Sequence, residues 1–231
     1  MLCKIADLFT EIPEEGGIAP LLEEYKTDEK QRADIVISAE AYNYKRCSGL
    51  SDFEAAYIEA GMQFNYWLLS FAGMMLHSSA ISVGGKAYLF SGPSGVGKST
   101  HTALWKSAFP SARIINDDKP ALRRIDGVWY AYGTPWSGKF DINRNARVPV
   151  AGIAILNRGT NNTIVPYLGF QAISAILDQM IRHAGEEYRT NILELMDKLL
   201  SDIPVWKLTC NMNPDAATVA YCAMSGRNEG L

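Results

Sequence analysis

The chain has 231 residues, of which 48% are hydrophobic and 20% charged, and its formal net charge is -3. That length accommodates one dominant core, and the apolar content exceeds what a disordered chain carries. The small negative charge excludes a general basic field for nucleic acid or for an anionic membrane surface, so neither is expected as a partner.

The first 50 residues read as an N-terminal β-rich flank, with one strand near residues 3–9 and another over residues 33–38. Lys4, Asp7, Glu11, Glu14 and Glu15 interrupt the apolar residues of positions 1–17, unlike a secretion signal, so a cytoplasmic location is expected. Cys3, Cys47, Cys210 and Cys222 form no C-x-x-C pair, which signals neither zinc nor a disulfide framework and implies reduced thiols. From residue 51 the pattern changes. Ser51 or Asp52 caps a helix, Glu54 falls in its first turn, and apolar residues continue at helical spacing to Met75. The run over residues 62–76 is shorter than the roughly 20 residues of a membrane span and reads as a buried helix.

Two strands, residues 79–83 and 86–90, flank Gly84-Gly85, a dipeptide suited to a tight hairpin. A helix over residues 100–109 follows and stops at Pro110, and a β-branched strand over residues 113–115 ends in Asn116-Asp117-Asp118. Strands at 127–132, 150–157 and 205–209 and helices at 170–183, 190–200 and 215–224 complete an α/β order with a mixed sheet. Residues 51–231 therefore read as one catalytic domain, and the whole chain as a single compact body.

Gly92, Pro93, Ser94, Gly95, Val96, Gly97, Lys98 and Ser99 satisfy G-x-x-x-x-G-K-[ST] without mismatch, after an apolar strand and before a helix that begins with Thr100. Glycines let successive N–H groups turn toward phosphate oxygens, the helix N-terminus adds its positive end, and Lys98 supplies a charge at the β and γ phosphates. Ser99 is placed to hold Mg²⁺. ATP and Mg²⁺ are thus the expected cofactors. Asp117 and Asp118 lie one helix and one strand beyond Lys98, so their strand can return beside the loop. One carboxylate would help hold the metal and the other accept a hydroxyl proton, although a regular strand would aim only one inward. His77, 21 positions before Lys98, can orient phosphate or tune a base, whereas His101 reads as a packing or surface residue of the following helix.

The residues LHSSAISVGGKAYLFSGPSGVGKST and IINDDKPAL resemble the catalytic domain of HPr kinase/phosphorylase and, more distantly, the ATP-dependent phosphoenolpyruvate carboxykinases. The resemblance implies a phosphate-loop core of that type, with catalytic roles for His77, Lys98, Asp117 and Asp118. It makes Asp118 the base and Asp117 the metal-side partner, and it implies a homo-oligomer. In place of that family's glycine-rich stretch with a metal-linked glutamate stands Gly133-Thr134-Pro135-Trp136-Ser137-Gly138-Lys139, without a carboxylate before Asp141. Trp136, Gly138, Lys139, Arg144 and Arg147 are candidates for a nucleotide lid or acceptor site, and Arg158 is a further available cation. The sequence therefore points to an ATP- and Mg-dependent kinase acting on a hydroxyl of a protein, peptide or small molecule, a serine above all. The alternative is a regulatory or NTPase module in which nucleotide moves the Trp136 loop.

Overall fold

The structure, a computed structural model, describes residues 1–41, 49–181 and 183–226. It is a mixed α/β fold around a curled mixed sheet. Residues 1–41 give a hairpin, β1 (Leu2–Ile5) and β2 (Leu8–Glu11), then the single-turn α1 (Ala19–Leu22) and the short β3 (Ile35–Val36), which pairs parallel with β2. The strand expected near residues 3–9 is thus two, turned at Ala6 and Asp7, which both adopt positive φ. Ile5, Leu8, Ile12, Leu22 and Tyr25 from this region share one core with Phe64, Leu68 and Trp136. Cys47 lies outside the described residues; Cys3, Cys210 and Cys222 are free thiols.

The helix α2 (Asp52–Leu68) starts where the sequence places it, with Ser51 and Glu54 forming a reciprocal capping box. It does not run to Met75. After Leu68 comes a single 3-10 turn, Ala72 takes a left-handed conformation, and β4 (Gly73–Met75) pairs with β8 (Ala121–Ile125). A side chain at Gly73 would meet Leu122 O at 2.8 Å and Arg123 Cγ at 2.6 Å, so the apolar run is divided where the chain must approach a neighbouring strand closely. Among the described residues no helix is long and apolar enough to cross a membrane.

β5 (Ser78–Val83) and β6 (Lys86–Ser91) form the expected hairpin, with Gly84 and Gly85 both at positive φ. Next come α3 (Lys98–Ala108), β7 (Arg113–Asn116), β8, β9 (Val128–Tyr132), β10 (Arg147–Arg158), β11 (Thr163–Pro166), α4 (Gly169–Leu177), α5 (Glu186–Asp202), β12 (Val205–Cys210) and α6 (Asp215–Ser225). β10 is the pivot of the curl. Its first residues pair antiparallel with β9, and it then pairs parallel with β6 from Val150, across a bulge to Gly152, and with β12 from Ile153. Since β7 and β6 both run antiparallel to β5, the ends of β6, β7, β10 and β12 and the start of β5 share one edge of the sheet. In parallel sheets ligands gather at that edge. α4 ends at Leu177, short of the expected residue 183, because Met180 pairs with Leu76 and draws the chain into the sheet edge.

Candidate functional site

Residues 92–97 form the turn between β6 and α3, and Gly92, Gly95 and Gly97 all adopt positive φ, up to 143° at Gly92. Lys98 is the first residue of α3 and only 8% exposed. Its Nζ folds back onto its own loop, donating to Gly92 O at 2.9 Å and Pro93 O at 3.3 Å. Burial pushes its ammonium below the usual lysine range, and the nearby Asp118 and Asp117 charges offset this in part. Arg158, at the end of β10, braces the loop from outside by donating to the carbonyls of Val96, at 3.2 Å, and Gly95.

Opposite this loop stand the two aspartates. The strand ends at Asn116, whose buried side chain replaces the ladder. Asn116 Oδ1 accepts the N–H groups of Asp118 and Lys119 at 2.9 and 2.8 Å, and Asn116 Nδ2 donates to Thr134 O at 2.9 Å. This side-chain turn frees Asp117 and Asp118 from strand alternation. Asp117 and Asp118 therefore both line the same cavity of about 450 Å³ as His77, Lys98 and Ser99, without the alternation that a regular strand would impose. Asp117, only 8% exposed, accepts a hydrogen bond from the Ser79 hydroxyl. Asp118 Oδ1 lies 3.2 Å from His77 Nε2, and its Oδ2 accepts from Lys119 Nζ at 2.5 Å. Burial alone would raise the Asp118 carboxyl. The His77 hydrogen bond and the Lys119 ammonium outweigh it and hold the group below its ordinary value.

The loop from Gly133 to Lys139 forms the third wall, and its residues divide. Gly138 and Lys139 line the cavity. Trp136 does not. It is 3% exposed, stacks on Phe64 with centroids 5.0 Å apart, and donates its Nε1–H to Tyr57 O at 3.0 Å. The ring anchors the loop to α2, against the expectation that it forms part of a lid. Tyr57 completes the anchor, its hydroxyl accepting Gly138 N–H at 3.1 Å. Arg147 stacks 3.8 Å over the Tyr130 ring and pairs with Asp7 at 3.2 Å, remote from the cavity lining, and Arg144 is exposed outside that lining too. Of the three candidate arginines only Arg158 reaches the site. His101 is on the buried face of α3, where it accepts from Trp105 Nε1 at 3.0 Å, and burial pushes its imidazole down to about 4.

Ser79, Lys119, Tyr57, Asn116 and Gln179 escape a reading of motifs. Asn116 alone carried a usable signal, as a turn former directly before an acidic pair. Among the described residues no three His, Cys, Asp or Glu side chains cluster as a self-sufficient metal site. Mg²⁺ needs no such cluster, because it takes one or two carboxylates together with substrate phosphates and water. The hydroxyl of Ser99 and the carboxylate of Asp117 on the same cavity are hard oxygen donors of that kind.

No family model matches the chain, and no curated protein matches it. Among solved structures, the Hpr(Ser) kinase/phosphatase from Coxiella burnetii superposes with a TM-score of 0.39 and 12% identity, over 67% of this chain and 96% of that one. So loose a superposition identifies neither family nor activity.

Proposed function

We propose that the chain is a magnesium-dependent phosphotransferase, with a core of the HPr kinase and phosphoenolpyruvate carboxykinase type, that moves the terminal phosphoryl group of ATP to a hydroxyl. A serine of a protein or peptide is the acceptor it suits best, and the cytoplasm is the compartment that goes with this reading. One observation carries this reading: a glycine turn with a buried lysine faces a histidine-held carboxylate across a single cavity.

In this reading the N–H groups of residues 94–100, at the loop and the start of α3, bind the phosphate oxygens, and Lys98 exchanges its loop carbonyls for the β and γ phosphates. Ser99 and Asp117 would hold Mg²⁺, which would supply positive charge to offset that of the phosphates. Asp118 takes the acceptor's proton. As the acceptor oxygen bonds to the γ phosphorus, the bond from that phosphorus to the β,γ-bridging oxygen breaks, and the hydroxyl proton passes to the Asp118 carboxylate. His77 and Lys119 keep that carboxylate ionised, and Gly138 and Lys139 form the acceptor's side of the cavity.

In this reading a triphosphate with its γ end at Asp118 would run toward Thr100 and Arg158. These residues are shared with a second cavity of about 390 Å³, which Leu104, Leu156 and Met212 line. Two of the polar side chains there are already engaged by backbone: Asn211 Nδ2 donates to Thr160 O at 2.7 Å, and Arg158 donates to the loop carbonyls. In this reading Leu104, Leu156 and Met212 would supply apolar contact to the base. Mg-ATP is expected to bind roughly tenfold or more tightly than Mg-tripolyphosphate, from the apolar area a base buries. Met212→Glu, at a 76% exposed position, should erase that margin in calorimetry without weakening tripolyphosphate.

The decisive assay incubates the protein with γ-labelled ATP, Mg²⁺ and a serine-peptide library or a lysate of its host. Label on an acceptor, lost in Lys98→Ala, is the expected result. Release of ADP without any labelled acceptor would instead favour the regulatory NTPase, and Trp136 weighs against that reading because it pins the loop such a switch must move.

A further inference from the structure

His77 is held from two opposite sides. Ser78 N–H donates to Asp118 O at 2.9 Å on one side, and His77 N–H donates to Gln179 O at 2.9 Å on the other. The ring repeats this arrangement, with Nε2 3.2 Å from Asp118 Oδ1 and Nδ1 3.2 Å from Gln179 Oε1. One residue thus fixes both the main chain and the imidazole of His77. Gln179 is itself fixed, since its N–H donates to Ile176 O at 2.9 Å in the turn that ends α4, and its neighbour Met180 pairs with Leu76.

The chemistry of the three groups restricts how the hydrogens lie. A neutral imidazole has one donor and one acceptor nitrogen, and an ionised carboxylate only accepts. For the neutral ring a hydrogen bond to Asp118 therefore requires the hydrogen on Nε2 and leaves Nδ1 bare, whereas an imidazolium would donate from Nδ1 to the amide oxygen. A carbonyl or carboxylate opposite Nδ1 would oppose that tautomer. A primary amide does not, because a half-turn exchanges its oxygen for its NH₂ group at almost the same positions. We propose that Gln179 is a positioning residue: its amide donates to Nδ1, keeps the Nε2–H of His77 on Asp118, and so holds that carboxylate toward the acceptor hydroxyl. The kinetic consequence rests on the phosphotransferase reading, whereas the tautomer does not.

The test is therefore made in two independent readouts. The chain has three histidines, so long-range ¹⁵N–¹H spectra of labelled protein resolve His77 by its loss in His77→Gln. The unaltered protein should show His77 as the Nε2–H tautomer, and Gln179→Leu should show a mixture of both. Gln179→Glu, the same shape without a donor, should move the hydrogen toward Nδ1. In acceptor labelling, Gln179→Leu should lower kcat by about tenfold to a hundredfold, the usual effect of losing an orienting partner, with KM for Mg-ATP unchanged. An Nδ1–H tautomer or an imidazolium in the unaltered protein, or an unchanged Nε2–H tautomer in Gln179→Leu, overturns the proposal. Failure of the unaltered protein to label any acceptor overturns the kinase reading alone, since the spectra still decide what Gln179 does.

Discussion

Lys98→Met is expected to reduce phosphoryl transfer by about 10³-fold, the scale on which a single cationic or oxyanion contact to a transferring phosphoryl group acts. It should also abolish nucleotide-dependent stabilisation. Mg-ATP at a hundred times its Kd stabilises a protein by about 2.7 kcal/mol, or roughly 5–11 °C in Tm for a chain of this size. Differential scanning fluorimetry should find that rise in the unaltered protein and none in the variant. The unliganded fold should survive the change, because the buried ammonium is itself a burden: burial holds Lys98 below its ordinary pKa. A lysine whose folded pKa is depressed weakens the fold below that value, and the penalty is relieved as pH climbs toward the ordinary lysine range. Subtracting the denaturation curve of Lys98→Met from that of the unaltered protein should show this relief as pH rises. A variant that still gains Tm with Mg-ATP would remove Lys98 from the phosphate site, and with it the reading of the glycine turn.

The parts of the site legible in sequence are those written in contiguous residues. The glycine turn was legible because positive φ at Gly92, Gly95 and Gly97 and a helix starting at Lys98 are local requirements, met by eight adjacent residues. Strand alternation misled for the acidic pair, since Asn116 ends the strand with its own side chain and lets both carboxylates enter one cavity. Contacts across long separations left no trace: Gln179 meets His77 from 102 positions away, and Tyr57 meets Gly138 from 81. The same holds for the buried helix expected over residues 62–76. Apolar character shows that the segment is inside, but whether it stays helical past Leu68 is decided by Gly73 and the strand it touches. Trp136 shows the converse. An aromatic in a glycine-rich turn resembles a ligand contact until the partners Phe64 and Tyr57 are visible.

The two aspartates should separate in kinetics. Asp118→Asn is expected to lower kcat by 10²–10⁴-fold, the usual contribution of a positioned base, while Mg-ATP affinity changes little. Asp117→Asn should instead raise the Mg²⁺ concentration needed for half-maximal rate, and added Mg²⁺ should recover much of the loss. The environments argue for this division. Asp117 accepts from the neutral hydroxyl of Ser79, which leaves its charge available to a cation, whereas Asp118 is already engaged by the His77 ring and the Lys119 ammonium. The pH dependence has a definite sign. The Asp118 carboxyl, with the His77 hydrogen bond and Lys119 overriding burial, stays below its ordinary value, so it remains a base until the pH falls beneath the usual carboxylate range. Its contribution to stability is likewise complete above the ordinary carboxylate pKa and lost as pH falls through the folded value. Lys119→Met should therefore shift the acid limb of kcat/KM toward higher pH. Should Asp117→Asn prove the variant with intact nucleotide affinity and a kcat loss that Mg²⁺ cannot repair, the roles of base and metal partner are exchanged.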